Sequence, residues 1–122
     1  MLFRSQGNWN EAEQLEVQVL DMRKKILGAE HPDTLSSMAY LALTYCKQGK
    51  LSEAQQLGVQ VLDMQKKVLG AEHLETLRSM VNLAWTYCKQ GKLREAEQLE
   101  VQILDMWKKL FSAGHPDTLR QI

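Results

Sequence analysis

The chain has 122 residues, with 15 Lys+Arg against 15 Asp+Glu, 44% hydrophobic residues, 2 Cys, 2 Pro and 7 Gly. That length fits one domain or a piece of a repeat array, without the basic excess that neutralises phosphates, without an apolar run near the ~18 residues of a membrane span, and with too few cysteines for a disulfide scaffold. Met1-Leu2-Phe3-Arg4-Ser5-Gln6 is too short an apolar stretch for a signal peptide, so a cytoplasmic setting is expected, with neither nucleic acid nor membrane as partner.

The sequence repeats itself. Residues 7–48 return as 49–90 with 29 of 42 positions identical, and a third copy starts at Gly91 and is cut off at Ile122. This predicts a single array over 1–122, with units 7–48, 49–90 and a truncated 91–122. In chain order, Met1 to Gln6 aligns with Leu43 to Gln48, the tail of a short helix. A long helix is predicted from Asn10 to Leu27, opened by a capping box of Asn10 and Glu13 and closed by Gly28. The words Ala29-Glu30-His31-Pro32-Asp33-Thr34 lead into a short helix that reaches Gln48. Pro32 suits its first turn, Asp33 adds favourable negative charge there, and Met38, Leu41, Ala42 and Tyr45 line one side.

Gly49 then turns the chain into the next long helix, whose stripe is Ala54, Leu57, Val61, Leu62, Val68 and Leu69. Ser52 and Gln55 repeat the capping box. Gly58 interrupts the stripe where the other copies carry Glu16 and Glu100; it marks either a close helix approach or drift. Gly70 ends this helix, Leu74 takes the place of the proline, and the second short helix runs to Gln90. Arg94 removes the cap from the third long helix, and Pro116 to Ile122 begins another short one. No segment alternates at period two, so no strand is predicted. A chain that starts and stops inside helices, without polar caps, reads as a fragment of a longer array.

Leu41-Ala42, Tyr45, Gly49 and Ala54, repeated as Leu83-Ala84, Tyr87, Gly91 and Ala96, resemble the tetratricopeptide (TPR) signature. The 42-residue spacing and the Leu-Gly-Ala-Glu-His-Pro-Asp-Thr-Leu linker are similar to the TPRs of kinesin light chains and of fungal and bacterial NTPase immune-receptor-like proteins. The resemblance implies an all-α helix-turn-helix solenoid, a right-handed superhelix with short helices on the concave face and long ones on the convex face. It also implies a protein–protein interaction scaffold that binds a peptide and does no catalysis. The alternative role is a spacer that self-associates by end-to-end stacking or domain swapping.

A repeat keeps its packing residues and varies its contact residues. Ser36, Ala39, Tyr40 and Leu43 become Arg78, Val81, Asn82 and Trp85. With Lys47 and Lys89 these form the candidate peptide-binding face. Arg78, Arg120 and the two lysines give it a mild positive bias, so the expected ligand is an extended or short helical peptide with an apolar anchor and an acidic residue. By resemblance, Asn82 matches the asparagine that grips a ligand's backbone in TPRs; Tyr40 departs from it. The Lys and Asn of the carboxylate clamp are absent at Ala39, Leu43, Val81 and Trp85, so chaperone C-termini are not expected ligands. Trp85 is the anchor candidate, with inter-repeat core as its alternative, while Trp9 and Trp107 read as packing residues.

No metal, cofactor or catalytic residue is expected. His31, His73 and His115 occupy equivalent linker positions, roughly 10 Å apart by helix packing distance, too far to share a zinc ion. They read as linker histidines bonded to local backbone. Cys46 and Cys88 are likewise too far apart for a disulfide, have no adjacent histidine to activate them, and are expected half-buried. Asp21, Asp63 and Asp105, each followed by a lysine pair, read as solvated helix-surface charges.

Overall fold

The computed structural model describes the backbone of residues 2–112 and the side chains of residues 8–111. It contains five helices: α1 (Leu2–Ile26), α2 (Pro32–Gln48), α3 (Leu51–Val68), α4 (Leu74–Gln90) and α5 (Leu93–Ser112). There are no strands among the described residues. His115, Pro116 and Arg120, with the further short helix expected there, lie outside them.

Linker chemistry explains where the short helices begin and end. Gly28 and Gly70 take positive φ and end the long helices. His31 and His73 then act as N-caps, their Nδ1 atoms accepting from the amides of Asp33 and Glu75 at 3.0 Å. Thr34 and Thr76 tie each linker down by donating to the carbonyls of Gly28 and Gly70. This spacing is identical in the two copies, so losing Pro32 to Leu74 leaves the helix start unmoved. Gly49 and Gly91 adopt the left-handed conformation at the C-caps, and the following Lys50 and Lys92 amides reach back to Tyr45 and Tyr87 carbonyls.

The long helices depart from expectation at their starts. Helix α1 runs through Gly7 without a break, so Leu2 to Gln6 belong to it and not to a separate short helix. These five residues are little more than one turn, too few to nucleate alone, whereas continuing the helix costs only about 1 kcal/mol for the glycine. Asn10 and Glu13 therefore lie inside a helix and form no capping box. Their side chains accept instead from Gln48 Nε2, at 2.8 and 2.9 Å, and Glu13 also accepts from Lys50 Nζ at 2.8 Å. The second capping box is absent too. Helix α3 begins one residue before Ser52, Lys50 holds the N-cap without a side-chain bond, and Gln55 accepts from Lys92 Nζ at 2.7 Å.

Each short helix is clamped between two long ones. Leu20 of α1 and Val61 of α3 close on Leu35, Met38 and Leu41 of α2. Leu62 of α3 and Leu99 of α5 close on Met80, Leu83 and Ala84 of α4. The adjacent residues Val61 and Leu62 thus serve opposite neighbours. Buried Ala54 and Ala96 let the helices approach closely. Gly58 does the same: a Cβ there would meet Leu83 Cδ1 at 3.2 Å. Val68, expected in the stripe, is exposed, because the helix ends there and turns it outward. The cysteines split: Cys46 is buried and Cys88 exposed, since α2 has the short helix α4 beside it, whereas no further short helix lies beside α4 among the described residues. Trp9 and Trp107 are both half-buried, and Trp107 lies 5.4 Å from the Phe111 ring.

Two glutamates at the α1–α2 seam carry opposite pH dependences. Glu13 is held below its ordinary value of 4.5 by the hydrogen bonds from Lys50 and Gln48. Glu16 is pushed above it because burial outweighs the bond from Thr44. A lowered acid stabilises the fold above its unfolded value, and that contribution is lost as pH falls through the folded value. A raised acid costs stability while ionised, and the cost disappears as pH falls through its folded value. Glu13→Gln is therefore expected to reduce stability at neutral pH and to flatten the loss below 4.5. Glu16→Gln is expected to do the reverse, raising neutral stability. Urea denaturation across the acidic range reads both slopes.

Candidate peptide-binding groove

The short helices α2 and α4 lie side by side, while no Cα of α3 comes within 8 Å of α1 or α5 among the described residues. Closer spacing in one layer than in the other curves the stack, so the short helices form its inner face. Short helices α2 and α4 carry all ten candidate residues, and the structure gathers nine of them into two groups, with Val81 outside both.

One group is a shallow pocket at the α2–α4 seam. It is lined by Ser36, Ala39, Tyr40 and Leu43 from α2, and by Arg78 and Asn82 from α4. Glu75 and Ser79 also line it; neither was among the candidates. Ser79 repeats Ser37, so a comparison of copies for differences passes over it. Glu75 stands 3.4 Å from Arg78, which balances part of the groove's positive charge.

The other group surrounds Trp85. This side chain is 48% exposed, whereas Leu43 at the same place in α2 is half-buried at the seam with α4. Lys47 Nζ lies 4.6 Å from its ring centroid and Lys89 Nζ 5.1 Å, within cation–π range. Two ammonium groups from successive repeats thus converge on one indole, and among the described residues neither pairs with a carboxylate. Tyr40 and Val81 are also exposed, the latter outside the seam pocket. The arrangement offers apolar area, amide hydrogen bonding at Asn82 and unbalanced positive charge. It holds no cluster of three or more His, Cys, Asp or Glu side chains among the described residues, and no described helix is long and apolar enough to cross a membrane.

Comparison with known proteins agrees with this architecture. The tetratricopeptide repeat family matches residues 1–67 and again residues 76–117. Among solved structures, the kinesin-light-chain-type, nearly identical TPR-like repeats of Podosopora anserina are similar at 36% identity with a TM-score of 0.82, covering 96% of this chain and 56% of that one. A point variant of the same repeats gives 36% identity and a TM-score of 0.81 over the same shares. This chain therefore spans a little over half the length of those relatives. Curated protein sequences give no match. With five helices stacked at a 42-residue period and the family matching along both halves, the chain belongs to the tetratricopeptide repeat family, in its kinesin light chain-like form.

Proposed function

We propose that this repeat segment is a non-catalytic scaffold that binds a peptide on the inner face of α2 and α4. The observation that carries the reading is Trp85, a large side chain left half in solvent with Lys47 and Lys89 over its ring. Exposed aromatics in a groove make effective anchors, and a stacked, rigid face leaves the ordering cost mainly to the ligand. The ligand fitting this surface is an extended or short helical peptide with an apolar residue over Trp85 and an acidic residue between the lysines. A cytoplasmic location goes with this reading.

Selection from a random-peptide display library tests it, with the Asn82→Ala/Trp85→Ala double variant as counter-selection. A motif enriched on the natural protein and lost on the variant is the expected result; no enrichment on a folded protein would sink the reading. Trp85→Ala alone is expected to keep its helicity by circular dichroism, because about half of the side chain already stands in solvent.

A second reading is favoured by one face of α1. Val19 is 42% exposed, whereas its counterpart Val61 is 1% exposed under α2. Leu15, Met22 and Ile26 extend the same apolar face. Self-association through it would appear as concentration-dependent mass in light scattering, abolished by Val19→Lys. A constant monomer mass would leave the groove as the only interaction surface in play.

A further inference from the structure

The two described repeats differ at one buried point behind the groove. In the first, the Glu16 carboxylate accepts a hydrogen bond from Thr44 Oγ1 at 2.6 Å. In the second, Gly58 replaces the glutamate and Thr86, the counterpart of Thr44, donates to its own helix at the Asn82 carbonyl, 3.0 Å away. The serines differ too. Ser37 Oγ accepts from Arg23 at 2.8 Å, whereas Ser79, 3% exposed, has a buried hydroxyl with no protein partner.

These changes meet at one cavity. Gly58 contributes to its wall together with Ala39 and Leu83, and Ser79, Asn82 and Thr86 supply polar groups to its lining. Its volume is about 10 Å³. Ala39, Ser79 and Asn82 also line the seam pocket above, so the cavity lies directly beneath the groove floor. A single water needs roughly 10–15 Å³ and two to four polar partners, which this space meets. A carboxylate or carboxamide would overfill it.

We infer that the cavity is a one-hydroxyl subsite at the floor of the groove, filled by a water in the free protein and by the hydroxyl of a serine in a bound peptide. The second half rests on the peptide-groove reading; the first does not. Gly58 is then a specificity-determining residue that acts from behind the groove, because its missing side chain makes the space. Ser79 is the hydrogen-bonding partner.

Crystal structures of the natural protein and of Gly58→Glu, at a resolution that shows ordered waters, test the first half. A water about 2.5–3.0 Å from Ser79 Oγ is expected in the natural protein, displaced by the new carboxylate in the variant. A dry cavity in the natural protein would overturn the inference. Display selection on the natural protein, Gly58→Glu and Ser79→Ala tests the second half. The natural protein is expected to select serine at one fixed position, and Ser79→Ala to lose that preference while keeping the remainder of the motif; Gly58→Glu, which also presses on Leu83, is expected to lose the serine preference at least. Ser79→Ala, which changes packing least, should weaken a serine-containing selected peptide about tenfold and leave its alanine analogue unchanged. A motif with no serine preference overturns this inference alone. Failure to select any motif overturns the groove reading, and the ligand half with it.

Discussion

Gln65→Met is expected to raise the urea midpoint of unfolding, with a gain of about 1–3 kcal/mol. Gln65 sits in α3 at 0% exposure, and both its Nε2 and Oε1 lack protein partners. Its amide has given up hydrogen bonds to water without replacing them, which is the costly arrangement for a buried polar group. Methionine has nearly the same shape and removes both polar atoms. The repeat tolerates varied chemistry here, since Arg23 and Trp107 hold the equivalent positions. Arg23 solves the problem by donating to Ser37 Oγ and to the Asp33 carbonyl; glutamine in the same place does not. A lower midpoint for Gln65→Met would mean that the amide instead holds an internal water.

Leu35→Ala is expected to produce the largest loss, about 2–5 kcal/mol. Leu35 is fully buried and lies in one cluster with Leu20 of α1 and Val61 of α3, so truncation loosens both sides of α2. Against a total stability of about 5–15 kcal/mol for an ordinary domain, that is a large fraction. The loss is expected to begin in the first repeat, because repeat stability is a sum of units and nearest-neighbour interfaces. Hydrogen exchange should show α1 and α2 opening before α4 and α5. Val101→Ala, at an exposed position of α5, is the control and should stay within about 0.5 kcal/mol.

Much of this architecture is legible in the residues. The 42-residue period, the glycine stops and the linker words before Thr34 and Thr76 place α2 and α4 within a residue or two, because those boundaries are fixed by local chemistry; the N-cap role of His31 and His73 appears only in the structure. The starts of the long helices are not legible in the same way. Asn10–Glu13 and Ser52–Gln55 look like caps, yet Glu13 and Gln55 hold lysines across the repeat, a long-range use that local spacing does not reveal. Differences between the copies pick out Trp85 and Asn82. The same comparison cannot find Ser79, which is identical in kind to Ser37 and differs only in losing its arginine partner. Gly58 was visible as an anomaly, but its role depends on Leu83 approaching from the next helix.

The unequal spacing of the two helix layers also sets how the array responds to force. Short helices touch along the inner layer, whereas the backbones of the long helices stand apart in the outer one. Curling or uncurling changes gaps between long helices without breaking backbone packing there. Lengthening the inner layer requires α2 and α4 to separate. Under tension the array is therefore expected to unbend before α2 and α4 part, which single-molecule pulling would read as extension ahead of the first unfolding step.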